Sequence, residues 1–193
     1  MDSAEAMGPR CLWVEGGVEV LEELNRGDFD LSEVEVVYEP AVPVGEVPEG
    51  LSSVWRDWLR FCEEEGFSSV AEALVESGLN SLVGLGPGLT PLGDDVLSGY
   101  LLGLRVLGRV FDLGSLDLSR THWLSRQMVL DAAEGLCWSP FRGLISALLS
   151  EDRASLARWL ERCAGFGSTS GKGYLLGMAV AFEGMGGVSF CRG

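Results

Sequence analysis

Two short stretches concentrate the residues able to do chemistry: GLGPGLTPLGDDVLSGYLL at residues 84–102 and GFGSTSGKGYLLG at residues 165–177. Each passes from glycines through a threonine to a further glycine, then into an apolar run with another glycine six positions on. Glycine lets the backbone adopt positive φ and lets a ligand approach closely. Thr90 followed by Pro91 reads as an N-cap and a first-turn proline, so the helix behind it aims its free N–H groups at the loop. Such a helix tip attracts phosphate or carboxylate. Gly86, Gly88, Thr90 and Gly93 in the first stretch, and Ser168, Thr169, Ser170 and Gly171 in the second, are therefore the candidate ligand-binding residues. The same composition also serves plain packing, because glycines four apart on a helix face admit a close neighbour.

Charged residues decide what such a cradle can hold. Lys172, the only lysine of the chain, brings positive charge to the second stretch, and Asp94 and Asp95 bring carboxylates to the first. Two carboxylates repel a bare anion. Either they merely suit the positive end of a helix, worth ~0.3–1 kcal/mol, or a magnesium ion bridges a carboxylate and a phosphate oxygen. Successive helical residues diverge by about 100°, so one carboxylate faces the ligand while its neighbour bonds the backbone. Asp95 is the one expected to face it, since its counterpart in the other loop is also the second residue after glycine. Asp94 and Asp95 are the candidate metal ligands, magnesium being the metal such donors suit, and no cofactor is otherwise demanded. A nucleotide P-loop is excluded in detail: Phe166 stands six before Lys172 where glycine is required, and Gly173 replaces the hydroxyl residue that would hold magnesium.

The two stretches align as copies when Gly93 is matched to Gly171. A second register, matching GYLLGL at 99–104 to GYLLGM at 173–178, aligns apolar interiors instead of helix starts. The first register is the one expected from an internal duplication.

The elements that must carry these loops are mostly helical. A helix is expected from Ser52 or Ser53 to about Glu65, and a shorter one from Ser68 or Ser69 to near Gly78. Others are expected from Pro91 to Leu107, from Ser119 to Glu134, from the Ser139–Pro140 pair, from Ser150 with its acidic neighbours, and after Gly171. Residues 12–47 carry β-like runs broken by glycine and proline. The fold expected is mainly α, α+β overall: a small β-rich segment over 1–50 and a helical domain of about seven helices over 51–193.

Composition narrows the functions. At 193 residues and 47% hydrophobic, the chain can bury a sizeable core. A net charge of −15 argues against nucleic acid and anionic lipid as partners. No apolar run is long enough for a membrane span, and MDSAEAMGPR lacks the basic start of a signal peptide, so the expected location is the cytoplasm. Five scattered cysteines suggest buried thiols rather than a disulfide framework or zinc site. With His122 the sole histidine, three-histidine metal sites are excluded. His122 is a candidate catalytic group beside Asp95 and Lys172, against the commoner structural role of a histidine next to Trp123. Arg120, Arg126 and Arg142 are candidates to grip a carboxylate, Arg126 foremost. Trp55, Trp58, Trp123, Trp138 and Trp159 suit the core or an interface, the core being the default expectation.

At these residues the chain resembles the AllH family, named after a subunit of an oxamate carbamoyltransferase. GLGPGLTPLGDDVLSG resembles the family's G-x-G-P-G-L-T-P-S-G-D-D-x-L-x-G signature, and GSTSGKGYLLG is similar to its G-H-T-S-G-x-D-x-L-x-G segment. Between them, THWLSRQMVLDAAEGLCWSPFRGLISALL resembles a middle stretch with Thr, Ser-Arg and A-x-x-G. The likeness spans roughly residues 80–184. Leu92 stands where the first motif has Ser, Ser168 where the second has His, and Gly173 where it has Asp. The resemblance implies a carbamoyltransferase subunit or relative that takes phosphate, an acyl phosphate or a small carboxylate between the loops, with partner subunits. The altered positions imply the alternative, a non-catalytic anion-sensing or partner-docking component.

Overall fold

The computed structural model describes residues 7–9, 38–48, 67, 70, 73 and 77–183. Within them lie five α-helices: α1 Leu92–Val106, α2 Trp123–Glu134, α3 Ser139–Leu149, α4 Arg153–Ala164 and α5 Ser170–Glu183. Short 3-10 turns at Leu79–Leu82, Leu113–Ser115 and Leu118–Arg120 connect or precede them. The chain is mainly helical, as its patterning implies. Val70, Ala73 and Ser77 are helical, while the rest of the helix expected over 68–78, and all of that over 52–65, lies outside the described residues.

Most of the expected β-rich segment also lies outside them. The part that is described, 38–48, contains one isolated antiparallel bridge, Ala41 with Leu136. Its backbone is tied to helix ends instead: Val42 N–H donates to Gly135 and Gly45 N–H to Val106, at 2.8 and 2.9 Å. Tyr38 donates its hydroxyl to the Cys137 carbonyl at 2.9 Å.

α1 and α5 form the centre. Every residue of α1 from Gly93 to Gly99, and every residue of α5 from Gly173 to Ala181, is buried. Helices buried all round sit inside a fold rather than on its face. Around this pair, α2 packs on α1, α4 on α5, and α3 on α4. Leu97, Leu101, Leu102, Phe141, Leu144, Leu175 and Met178 lose essentially all contact with solvent. Burying such side chains contributes roughly 1.5–3 kcal/mol apiece before entropy is counted.

Helix ends differ from the sequence expectation in physically simple ways. Pro91, not Thr90, is the N-cap of α1, with no side-chain cap bond. α2 starts at Trp123 because the Ser119 region closes separately into a 3-10 turn, capped by Asp117. Ser139 is already helical, with Trp138 as N-cap. Ser150 closes α3, and Asp152 caps α4 by accepting from Ser155 N–H, a carboxylate outcompeting a hydroxyl for the helix tip. Gly135 ends α2 as expected, in the left-handed conformation. No helix among the described residues is long and apolar enough to cross a membrane.

Candidate functional site

α1 and α5 cross with their backbones nearly touching. A Cβ at Gly99 would stand 2.0 Å from the Tyr174 carbonyl, and one at Gly177 would stand 2.0 Å from the Val96 carbonyl. Counted from Gly93 and Gly171, each helix offers its sixth residue to the other's third. That reciprocity is a two-fold relation, and it holds in the register that aligns helix starts, not in the one that aligns GYLLGL with GYLLGM. Equivalent residues also meet each other: a Cβ at Gly173 would lie 2.8 Å from Asp95 Cβ, and one at Gly103 would lie 2.6 Å from Ala181 Cβ. The helices therefore run parallel, with both N-termini at one end.

The loops feeding them repeat the plan. Gly93 lies under the Leu82 carbonyl and Gly171 under that of Cys163, where a Cβ would fall 2.2 and 1.8 Å away. Both glycine N–H groups donate to their own loops, Gly93 to Leu85 and Gly171 to Phe166, each at 2.8 Å. Gly86 and Gly88 hold φ of 114° and 95°, and Gly167 holds 67°, conformations that glycine tolerates without strain. Gly86, Gly88, Gly167, Ser168 and Thr169 are exposed, so the loop tips face solvent.

Where the tips meet, Thr90 Oγ1 lies 3.5 Å from Ser170 Oγ. The Ser170 hydroxyl in turn hydrogen-bonds Asp95. Asp95 is 1% exposed, and its Oδ2 has no hydrogen-bond partner among the described residues. Burial pushes this carboxyl up to about 7, the Ser170 bond pulls it down, and the nearby Asp94 pushes it up again. Asp95 is thus a carboxyl poised between its two protonation states near neutrality.

Asp94 is equally buried but fully engaged. Its Oδ1 accepts from Gly84 N–H at 2.8 Å, and its Oδ2 accepts from Ser125 Oγ at 2.7 Å and from the Thr121 hydroxyl. It fastens the first loop to the start of α2. The two carboxylates differ: Asp94 is held by one backbone N–H and two hydroxyl groups, while Asp95 keeps one oxygen without a partner among the described residues. Among the described residues no three His, Cys, Asp or Glu side chains gather as a metal site.

Of the other candidates, Lys172 shares a helix start with Ser170, and the rest sit elsewhere. Lys172 is half-buried in the first turn of α5. His122 is exposed at the start of α2, where its Nδ1 accepts from Leu124 N–H at 3.5 Å. Arg126 Nε donates to the Leu118 carbonyl at 3.0 Å, Arg120 to Asn80 at 3.1 Å and Arg142 Nε to Ala41 at 3.1 Å. Each arginine ties down backbone. Trp123, expected in the core, is 69% exposed. Cys137 and Cys163 are buried free thiols, and burial pushes Cys137 up to about 12. Sequence reasoning missed Thr121 and Ser125, which hold Asp94. The Thr and Ser-Arg of the middle stretch carried the signal for both, but the arginine drew the functional assignment.

A family model described as oxamate carbamoyltransferase subunit AllH matches residues 82–182. No curated protein matches the chain, and no solved structure does.

Proposed function

The chain belongs to the AllH family, and from that premise we propose that it is a subunit or relative of a carbamoyltransferase that binds phosphate, an acyl phosphate or a small carboxylate where its two loops meet. The observation carrying this reading is the approach of Thr90 and Ser170 to 3.5 Å above the buried Asp95. Two hydroxyl groups, exposed loop backbone and the cation of Lys172, in the first turn of α5, supply donors for an oxyanion. In carbamoyl transfer a nitrogen attacks the carbamoyl carbon and phosphate departs. Donors fixed before the reaction stabilise the departing charge without reorganising. Asp95, near its midpoint at neutral pH, accepts a proton from the attacking nitrogen or holds a magnesium ion. Such an ion would take Asp95 Oδ2 and complete its shell with phosphate oxygens and water. Asp94 is already committed and contributes no ligand. A subunit of such an enzyme works against partner subunits, which we propose for this chain as well.

A second reading rests on the same loops. Gly93 and Gly171 spend their N–H groups on their own loop carbonyls, which removes two donors from an anion. Gly173 lets α5 close onto Asp95, filling the place an opposing carboxylate would need. A junction reduced in this way suits a non-catalytic, anion-sensing component that docks a partner.

Thermal unfolding with phosphate, carbamoyl phosphate, oxamate and nucleotides, each with and without magnesium, tests both. Ligand at a hundred times its dissociation constant adds ~2.7 kcal/mol, a shift of several degrees for a chain this size. Stabilisation by carbamoyl phosphate that is lost in Lys172→Ala and weakened in Asp95→Asn is the expected result. Unaided turnover of a carbamoyl donor would reject the second reading.

A further inference from the structure

Three polar side chains lie buried where α1 and α5 cross. Asp95 and Ser98 are each 1% exposed, and Tyr174 is 2% exposed. Asp94, the neighbouring buried acid, turns away to Ser125 and Thr121 and plays no part here. Asp95 Oδ2 and Ser98 Oγ are both closed off from solvent, and neither has a hydrogen-bond partner among the described residues. Protein interiors pair nearly all such atoms, because an unpaired one forfeits its hydration for nothing. A serine inside a helix turns its hydroxyl to solvent or to the carbonyl four residues back. Ser98 does neither.

Helical spacing relates the two atoms. Three residues apart, Asp95 and Ser98 share a face of α1, with Cβ atoms ~5–6 Å apart. Their oxygens do not bond each other, and a gap of that width suits one bridging water. Tyr174 supplies a third group: Ser98 and the Asp95 charge both act on its hydroxyl. Its ring is held by stacking on Phe141, with centroids 4.8 Å apart. Three polar neighbours match the ~3 hydrogen bonds a buried water makes. Hard cations ask for about six oxygens, which this crossing does not offer among the described residues.

We propose that one water molecule is built into the helix crossing, donating to Asp95 Oδ2 and hydrogen-bonded to the Ser98 and Tyr174 hydroxyls. Ser98 lies one turn deeper in α1 than Asp95, so the water braces the carboxyl from the core side, away from the loop tips. A carboxylate oxygen accepts two bonds, so a junction ligand can share Oδ2, and the water does not depend on one.

The test uses the full chain with no ligand added. Oxygen-17 relaxation dispersion counts the waters that a protein holds for longer than it tumbles. The expected result is one long-lived water fewer in Ser98→Ala than in the unaltered chain. A high-resolution crystal structure should then show a water at hydrogen-bonding distance from Asp95 Oδ2 and Ser98 Oγ, and none there in Ser98→Ala. An unchanged count in the folded variant, a direct bond between Asp95 and Ser98, or density at metal-ligand distances would each overturn the proposal. Phosphate binding at the loops is measured separately, and neither result decides the other.

Discussion

In the first loop–helix unit Gly93 lies under the Leu82 carbonyl and donates to Leu85; in the second, Gly171 lies under Cys163 and donates to Phe166. The first loop is three residues longer between those points and uses Gly84, Gly86 and Gly88 at positive φ where the second uses Gly167. Backbone plan is shared; side-chain chemistry is not. Position two after the start glycine is Asp95 in one unit and Gly173 in the other, and position one is Asp94 against Lys172. A two-fold crossing requires glycine at the same places in both halves, since either helix would otherwise collide with the other. Nothing in the crossing requires the polar residues to match. Packing keeps the symmetry, and the polar residues do not.

That comparison breaks hardest at the crossing. Gly99→Ala and Gly177→Ala each drive a methyl into a carbonyl 2.0 Å away and should each cost about 3 kcal/mol or more. Urea unfolding followed by circular dichroism measures both. Near-equal losses, with the double variant less than additive, are expected from the reciprocal geometry. Gly88→Ala is the control: open space surrounds it, so only its φ of 95° is strained, a cost of ~1 kcal/mol.

The next test separates the units by their polar residues. Asp94→Ala strands the Gly84 N–H and the Ser125 hydroxyl and should cost ~2–3 kcal/mol. Lys172→Ala, at the matching position, should cost less. Gly173→Asp would restore symmetry in chemistry at the expense of packing. Its Cβ falls 2.8 Å from that of Asp95, so a loss of ~1–3 kcal/mol is expected, growing as pH rises and Asp95 ionises.

The pH dependence of Asp95 belongs to the first unit alone. Its folded pKa, about 7, lies above the ordinary 3.8, so the folded chain keeps this proton to higher pH than the unfolded one. Stability from this group is therefore greatest below the ordinary value and falls as pH rises through about 7. Asp95→Asn should raise the unfolding midpoint by roughly ten degrees at pH 8 and leave it nearly unchanged at pH 4.

Much of this was legible from residue types. The helical class and the register in which the two loop–helix units meet follow from glycine spacing and helix periodicity. What was not legible depends on partners distant in sequence. Thr121 and Ser125 meet Asp94 only because α2 packs on α1. The loss of Gly93 and Gly171 as free donors depends on where Leu85 and Phe166 turn their carbonyls. Trp123 is exposed because α2 begins at that residue rather than four residues earlier.

The central claim is that the meeting point of the loops holds an oxyanion, and calorimetric titration of carbamoyl phosphate at neutral pH tests it most directly. The account predicts saturable heat that Ser170→Ala and Lys172→Ala each weaken roughly tenfold. No saturable heat from carbamoyl phosphate or phosphate, with or without magnesium, would contradict it.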